Sequence, residues 1–465
     1  MPLVWVTAGI ALLLVLVLVV RLDALFALLL AAFVVGVLNG MGPLAVLDAI
    51  LRGIGGTMGS VVLVLVFGAM LGKLLEESGA AHVIVQRLTA LFGIRRVRYA
   101  MAAAGLVVGL PMLYNAGFLV LIPLVYALSV ATKLPLAYLG VPLAAALSAT
   151  HGFLPPHPAP TFVAYAYGAS VGRTLLVGLV AAVPACLLGG IVFGSTLRTG
   201  AVARAVPPSG LFAPREFDPG TLPALGVAVG TALVPVLCML VGAVIDVVAG
   251  TAGLDPAGNT AGFTTRLAAA VPDPALRAAV VAGKFVGNAN VALLAGVFVA
   301  LYALGVRRGR RMDELMQALG RAVAGVAGLV LVIAAGGAFA QVLRDGGVAD
   351  YVARRAVALR WDPILLAFAV AAALRFAVGS ATVAALTTAG IVAPIAHAGG
   401  VRPELLVVAT GAGSLMFSHV NDTGFWMFKQ YFNLTVRQTF ATWSVMEAVV
   451  ALTGLAAALV MRALT

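Results

Sequence analysis

The chain has 465 residues, of which 62% are hydrophobic and only 10% are charged, and its formal net charge is +12. A soluble domain carries about 45–50% apolar and about 25% charged residues, so this composition requires lipid as its solvent and excludes a set of soluble domains. Apolar runs near the length of a spanning helix, about 20 residues, follow one another along almost the whole sequence. We therefore expect an all-α polytopic membrane protein with about 12 to 14 membrane segments, because helices satisfy their own backbone hydrogen bonds in hydrocarbon.

The positive charge collects in short loops between the apolar runs. Arg residues crowd segments 93–98 and 305–311, which read GIRRVR and GVRRGRR. Such clusters fix orientation by the positive-inside rule, so we expect the lipid bilayer and no nucleic acid as a partner. Cys186 and Cys238 each lie inside an apolar run without metal-ligand spacing, and we predict neither a metal site nor a cofactor.

Two segments of the first half interrupt the apolar runs with polar residues, Gly and Pro. They are GLPMLYNAGFLVLIP (109–123) and SATHGFLPPHPAPT (148–161). The stretch 154–158 holds three prolines and cannot continue a helix, because proline lacks the N–H donor and clashes with the preceding turn. We expect it to be unwound and to line a cavity or be buried in protein. An ordinary surface loop is the alternative.

A stretch rich in Pro, Gly and charge at 195–223 separates two similar halves. The segment GAMLGKLLEESGAA (68–81) resembles GGAFAQVLRDGGVA (336–349), and the His at 151 has a counterpart at 419. Both pairs have the same offset in sequence, since 336 − 68 equals 419 − 151. The expected domains are an N-terminal transporter repeat over 1–196, an inter-repeat linker over 197–223 and a C-terminal transporter repeat over 224–465.

Paired halves with interrupted segments at matching places are typical of secondary transporters whose site lies at the repeat interface. Loops 73–98 and 305–321 hold five basic residues each and are expected on the cytoplasmic side. Loop 39–53 holds only one basic residue, Arg52, and is expected on the outer side of the membrane. These assignments invert the two repeats relative to each other, whereas the four Arg residues of loop 344–360 favour the opposite arrangement.

The second half carries polar residues in RFAVGSATVAALTTAG (375–390) and SHVNDTGFWMFKQYF (418–432). Residues 379–382 are expected to begin a half-helix, whose free N–H groups and positive dipole end suit an anion. His419 and Asp422, with intrinsic pKa values of about 6.5 and about 3.9, would lie on one face of a helix and could bind and release a proton. Alternatively, Asp422 caps the helix that follows it and His419 is hydrogen-bonded in the core.

Other polar positions within apolar runs have more ambiguous roles. Lys284, Asn288 and Asn290 could face a cavity or pair with a carboxylate. Glu447 is the lone carboxylate of an apolar helix, so it should find a partner such as an Arg or be protonated. Asp246 lies near a helix end and is expected to reach out to solvent.

Several of these motifs together resemble the gluconate permease family of gluconate:proton symporters, within a wider superfamily of ion transporters. They are SHVNDTGFWMFKQYF with TVRQTFATWSVMEAVV, HGFLPPHPAPT, GSATVA and GKFVGNANVALL, and the similarity covers essentially the whole chain. The resemblance implies two inverted repeats with re-entrant or broken helices in the bacterial inner membrane. It also implies import of gluconate or a related sugar acid or hydroxy acid with protons, and it allows a homodimer.

Carried onto this sequence, the resemblance implies a substrate site and a proton-coupling pair. Hydroxyl and amide side chains suit a polyhydroxy acid, and the planar fork of Arg375 suits its carboxylate. Alternatively, Arg375 only pairs with Glu447. The expected substrate-binding residues are Asn115, His151, His157, Arg375, Ser380, Thr382, Asn421 and Thr423, and the expected proton-coupling residues are His419 and Asp422.

The substrate stays open at this stage, because relatives that resemble the chain handle gluconate, other hexonates, D-serine, glycerate or hydroxybutyrate. A passive organic-anion channel is the rival class, and it would conduct without dependence on protons. We expect no catalytic site and no enzyme, because no nucleophile-and-base constellation, metal motif or phosphate loop accompanies the His residues.

Overall fold

The computed structural model describes residues 8–9, 11–12, 15–20, 22–205, 217, 219–251, 267–347, 351, 361–398, 400–420 and 422–464. Within these ranges the chain forms helices, and no residue is in a strand. Asn421 and linker residues 206–216 lie outside the described residues.

The described part of the first half contains eight helices, counted from Ala24 and labelled α1 to α8 in chain order. Helix α8 includes a π-helical stretch at Cys186–Val192. The helices are α1 Ala24–Leu38, α2 Pro43–Glu77, α3 Ala80–Phe92, α4 Val97–Gly109, α5 Tyr114–Thr132, α6 Leu136–Phe153, α7 Pro158–Ala166 and α8 Val171–Thr196.

The described part of the second half contains nine further helices of eight residues or more. Helices α11 and α17 each include one π-helical turn, at Leu301–Gly305 and Phe440–Ser444. The helices are α9 Leu225–Thr251, α10 Pro274–Val286, α11 Ala289–Arg308, α12 Met312–Asp345, α13 Pro363–Val378, α14 Ala381–Ala398, α15 Pro403–Leu415, α16 Thr423–Tyr431 and α17 Val436–Ala463.

By length and composition, seven helical stretches of the described residues could cross a membrane. The number rises to eight if the two arms of α2, Pro43–Gly59 and Val62–Glu77, count as one span. Five apolar helices are shorter, at 10–17 residues, and they include α13, α14 and α15. The expected all-α polytopic membrane protein with several short segments is thus confirmed.

Helix boundaries follow local signals in the sequence. Asp23, Asp273 and Asp362 cap α1, α10 and α13 by accepting a first-turn N–H at 2.9 Å. Gly379 ends α13 at φ +80°, a left-handed conformation that suits glycine. Proline occupies the first position of five helices, where its missing N–H is not needed: Pro43, Pro158, Pro274, Pro363 and Pro403.

In each half, two of the breaks between consecutive helices fall at the polar, Gly- and Pro-containing segments of the sequence. These four breaks are called the interruptions. Residues 110–113 separate α4 from α5, and residues 154–157 separate α6 from α7. In the second half, residues 379–380 separate α13 from α14, and residues 416–422 separate α15 from α16. Residues 154–157 are irregular and buried, which confirms most of the expected unwound segment 154–158 and excludes the surface loop. Pro158, the last residue of that segment, instead begins α7.

Matching helices of the two halves begin at nearly constant offsets in sequence. Helix α2 begins at Pro43 and α12 at Met312, while α7 begins at Pro158 and α16 at Thr423. The offsets of the pairs α4 and α13, α5 and α14, and α6 and α15 fall between those two. Each of the four interruptions therefore has a counterpart in the other half. The sequence distance between the two is close to the distance that separates the matching sequence motifs.

The expectation that residues 39–53 form an outer loop is wrong for most of its length. Helix α2 already begins at Pro43, because proline has the backbone angle of a first helical residue and needs no N–H acceptor there. Arg52 lies in the third turn of this helix and forms ion pairs with Asp48 and Asp345.

Asp246, expected to reach solvent, is instead buried between three helices. Its carboxylate accepts hydrogen bonds from Lys284 of α10 and from the hydroxyl of Ser170, which precedes α8. Arg173 donates to the backbone carbonyl of the same residue. Because these donors surround it, the carboxylate does not need water as a partner. The expectation that Lys284 could pair with a carboxylate is confirmed.

The two long helices α2 and α12 pack against each other over much of their length. At their closest approach, Gly53 faces Gly337 and Ala338. A Cβ atom on Gly53 would lie 2.5 Å from the carbonyl oxygen of Gly337 and 2.6 Å from Cα of Ala338. Small residues permit such close approach of helix backbones in lipid.

We expect Gly53→Ala to lower the melting temperature of the purified protein, because overpacking at a tight contact costs ~1–3 kcal/mol. Thermal unfolding in detergent measures the effect. Gly55→Ala, in the same helix, is the matched control, since its Cβ would meet nothing within 4 Å. Equal melting temperatures for the two variants would contradict this close approach.

Candidate functional site

A cavity of about 550 Å³ lies where interruptions from the two halves meet. Its volume falls within the range of about 300–1,000 Å³ that is common for small-molecule sites. Its walls come from the irregular segments before α5, α14 and α16 and from the helices α2, α5, α6, α12, α13, α14, α15, α16 and α17. The polar side chains that line it are Lys73, Glu76, Tyr114, Asn115, Ser148, His151, Arg375, Ser380, Thr382, Asp422, Thr423, Trp443 and Glu447.

Three helix N-termini point their first residues into this cavity. They are the starts of α5 at Tyr114, of α14 at Ala381 and of α16 at Thr423. The Ser380 hydroxyl accepts the Val383 N–H at 3.3 Å in a capping bond. The first N–H groups of a helix have no partner within the helix and carry the positive end of its dipole. Three such ends at one cavity create an environment that favours an anion.

Arg375 supplies the buried positive charge of the cavity, with only 3% of its side chain exposed. Its guanidinium donates to the carbonyl of Gly379 and to the carboxylate of Asp422. A buried charge is tolerated only when it is paired and hydrogen-bonded, and this arrangement ties the end of α13 to the segment before α16. The Arg375 Nε–H is buried without a hydrogen-bond partner among the described residues.

Asp422 is held by several donors. Besides Arg375, the hydroxyl of Ser418 and the N–H of Gly424 donate to its carboxylate, the latter at 2.9 Å. Trp443 of α17 in turn donates its indole N–H to Ser418 at 2.8 Å. Asp422 thus caps α16, as the alternative interpretation expected, and also forms the ion pair with Arg375. Arg375 pairs with Asp422 rather than with Glu447.

Two His residues of the first half form one connected unit. The Nδ1 atoms of His151 and His157 lie 3.4 Å apart, and Nε2 of His157 lies 2.7 Å from the carbonyl oxygen of Gly109. Nε2 of His151 lies 3.4 Å from the Thr382 hydroxyl, at the start of α14. His151 therefore borders the cavity, whereas His157 lies behind it and connects α7 to the end of α4.

Most of the residues expected at the site line the cavity. Those that do are Asn115, His151, Arg375, Ser380, Thr382, Asp422 and Thr423. His157 lies behind the cavity, and Asn421 lies outside the described residues. His419 is half-buried beside Phe376, with its Nε2 2.9 Å from that residue's carbonyl oxygen, and does not line the cavity.

The expectation that His419 and Asp422 share a helix face is wrong. The described residues between α15 and α16, 416–420 and Asp422, are not helical, and α16 begins only at Thr423. Asp422 ends a turn in which its N–H donates to the carbonyl of His419 at 2.9 Å. The capping preference of Asp favours a helix start at this point over a continuous helix.

Sequence reasoning missed several polar residues of the cavity, among them Tyr114, Ser148 and Glu447. Glu447 was recognised as an isolated carboxylate but not assigned to the site. It is 1% exposed and accepts a hydrogen bond from Ser148 of α6, while its second oxygen, Oε2, is buried without a partner among the described residues. A carboxylate in an apolar helix could have signalled this, since such residues are functional candidates by default.

An ion cluster lies at the end of the cavity formed by α2 and α12. Lys73 lies 3.2 Å from Glu76 and 3.6 Å from Glu77, and Glu77 also pairs with Arg310 and Arg321. These charges are better exposed than Arg375. Three cations and two carboxylates thus compensate one another in part at this more exposed end of the cavity.

A bundle of apolar helices with a cavity between interrupted helices, lined in part by polar side chains, has the construction of a secondary transporter. The family model for GntP family permeases matches residues 1–464, and the chain belongs to this family. It is accordingly a permease rather than an enzyme, and a multi-pass protein of the bacterial inner membrane.

Curated relatives match the chain over nearly its whole length. The Gnt-II system L-idonate transporter of Escherichia coli is 43% identical over 463 residues, which cover 100% of this chain and 99% of that protein. A high-affinity gluconate transporter of the same organism is 40% identical and covers 99% of each chain. The gluconate permease of Bacillus subtilis is 39% identical and covers 98% of each.

Two solved structures share the fold at low identity. The YdaH transporter of Alcanivorax borkumensis gives a TM-score of 0.57 at 18% identity, covering 89% of this chain and 87% of that one. MtrF of Neisseria gonorrhoeae gives a TM-score of 0.57 at 16% identity, covering 90% and 84%. Both similarities concern the fold alone.

The cavity predicts which thiols a polar reagent can reach. In a chain whose Cys186 and Cys238 are replaced by Ala, Ser380→Cys should react with a methanethiosulfonate reagent, because Ser380 lines the cavity. Ser414→Cys is the matched control, since Ser414 is 1% exposed and lies within α15. Mass spectrometry measures the labelling, and equal labelling of both would contradict the cavity.

Proposed function

We propose that this permease imports gluconate or a closely related sugar acid together with protons. The observation that carries the proposal is the buried Arg375–Asp422 ion pair at the meeting point of three helix N-termini. The names of the relatives, which are gluconate and L-idonate transporters, support a six-carbon sugar acid as the substrate class.

Arg375 is the proposed partner of the substrate carboxylate. A guanidinium can hold a carboxylate through two parallel hydrogen bonds, and the Nε–H of Arg375 has no other hydrogen-bond partner among the described residues. An arriving carboxylate therefore meets Asp422 as a competitor for the same cation. Binding loosens the link between α13 and the segment before α16, and release of the substrate restores it. The ion pair thereby connects occupancy of the cavity to the relative positions of these helices.

The remainder of the cavity is suited to a polyhydroxy chain. Ser380, Thr382 and Thr423 present hydroxyl groups and Asn115 presents an amide on the surfaces around Arg375. Such groups can each donate and accept hydrogen bonds. Glycerate and hydroxybutyrate would leave more of these polar groups unpaired, which favours the longer sugar acid.

Three further residues of the expected site are given no direct contact with the substrate in this proposal. His157 supports His151 from behind, through the contact between their Nδ1 atoms. Asn421 and His419 remain predictions of the family resemblance.

We also propose that residues 1–196 and 224–465 form two inverted repeats joined by the linker 197–223. The matching spacing of helix starts and interruptions supports the repeat. The ranges 73–98 and 305–321 were expected as loops and are largely helical, but their basic residues, near the end of α2 and the start of α12, support opposite orientations of the halves. A homodimer is a further prediction of the resemblance to the wider group.

We expect Asp422→Asn to abolish concentrative uptake. Asn can still cap α16, but it cannot re-form the ion pair that releases the substrate from Arg375. Uptake of labelled gluconate into proteoliposomes under an inward proton gradient measures the effect. We predict a loss of accumulation of at least about tenfold, since one charged partner of a buried pair is removed.

Asp362→Asn is the matched control for this variant. Asp362 also caps a helix and pairs with an arginine, Arg462, but it does not line the cavity. Its variant should accumulate gluconate as the unaltered chain does. Unchanged accumulation by Asp422→Asn would remove Asp422 from the mechanism.

The substrate and the driving ion are tested in the same proteoliposomes. Unlabelled gluconate and L-idonate should block uptake at lower concentration than glycerate, D-serine or hydroxybutyrate. Accumulation should follow the proton gradient and be indifferent to exchange of Na⁺ for K⁺. Equilibration without accumulation would instead indicate a passive channel.

A further inference from the structure

We infer that Glu447 is the proton-binding residue of this carrier, protonated when the anionic substrate occupies the cavity. The inference rests on the proposed proton-coupled function and names a residue to which the family resemblance gave no role. It starts from the distribution of charge around the cavity.

Two of the three acidic groups of the cavity have cationic partners. Asp422 pairs with Arg375, and Glu76 pairs with Lys73 at the mouth. Glu447 has no ion-pair partner among the described residues, although it is the most buried of the three. An unpaired buried carboxylate is costly, and uptake of a proton removes that cost.

The hydrogen bonds of Glu447 are compatible with both the ionised and the protonated form of its carboxyl group. Ser148 donates to one of its oxygens, which stabilises the ionised form. Its Oε2 is buried without a partner among the described residues, so a proton placed there displaces no existing bond. The hydroxyl of Tyr114, buried in the same cavity wall, also lacks a partner there.

Asp422 is less suited to carry the proton. Its carboxylate accepts from Arg375, Ser418 and the Gly424 N–H, and all three interactions favour the ionised form. In the empty cavity, protonation would break the ion pair and leave Arg375 as an uncompensated buried charge. When a substrate carboxylate displaces Asp422 from Arg375, the Ser418 hydroxyl and the Gly424 N–H still donate to the ionised Asp422 carboxylate. His419 lies outside the cavity wall, beside the carbonyl of Phe376. Glu447 is the acidic group of the cavity that can take up a proton without losing an ion pair or an existing hydrogen bond.

Electrostatics then links the proton to the substrate. Charged or titratable side chains face the cavity from α2, α5, α6, α13, the segment before α16 and α17, whereas α15 contributes only Leu415. These side chains are Lys73, Glu76, Tyr114, His151, Arg375, Asp422 and Glu447. A substrate carboxylate at Arg375 adds one negative charge beside Asp422 and the ionised Glu447. Neutralising Glu447 removes this repulsion, so anion and proton bind together more favourably than either binds alone.

The test measures protons bound per gluconate by isothermal titration calorimetry of the purified protein in buffers of different ionisation enthalpy. The unaltered chain should take up close to one proton per gluconate. Glu447→Gln, which imitates the protonated form, should still bind gluconate but take up no proton, and should fail to accumulate it under a proton gradient. Glu404→Gln is the matched control, because Glu404 is also buried but does not line the cavity.

Proton uptake by Glu447→Gln equal to that of the unaltered chain would overturn the inference while leaving proton-coupled import intact. An unaltered chain that takes up no proton would instead refute the coupling in the proposed function. If Glu447→Gln fails to bind gluconate, Ser148→Ala decides the question. Loss of its hydroxyl should move the pH midpoint of proton uptake upward by about one unit, the effect of one hydrogen bond to a charged group. An unmoved midpoint would exclude Glu447.

Discussion

The buried charge of Arg375 is the constraint on which the site depends. A guanidinium in the interior of a membrane protein must be compensated, and here the compensation comes from the Gly379 carbonyl and from Asp422. One side chain thereby joins the end of α13, the approach to α14 and the cap of α16. The same pair lies beside three helix N-termini, whose positive dipole ends favour negative charge at the cavity.

Small residues and prolines make this interior possible, because small residues let helices approach closely and prolines let a helix end inside the bundle. Gly53 and Gly337 allow α2 and α12 to touch along their backbones. The prolines of 154–157 stop α6 and leave His157 to bond the carbonyl of Gly109. Packing and polarity are therefore coupled, because each interruption that opens the cavity is stabilised by a buried hydrogen bond or ion pair.

The class of protein, the interrupted segments and about half of the polar residues that line the cavity were predictable from the sequence. Composition and the Gly/Pro pattern are local signals, and they located both Ser380 and the 154–157 segment correctly. The relation of Asp422 to Arg375, 47 residues apart, is a tertiary contact that no local pattern specifies. Glu447 and Ser148 meet across 299 residues for the same reason. The buried position of Asp246 was also missed, because its partners lie on other helices.

The central claim is that the substrate carboxylate and Asp422 compete for Arg375. A structure of the protein determined with gluconate bound tests this most directly. The account predicts the gluconate carboxylate within hydrogen-bonding distance of the Arg375 guanidinium, with Asp422 moved away from it. Gluconate bound elsewhere, or bound while the Arg375–Asp422 pair stays intact, would contradict it.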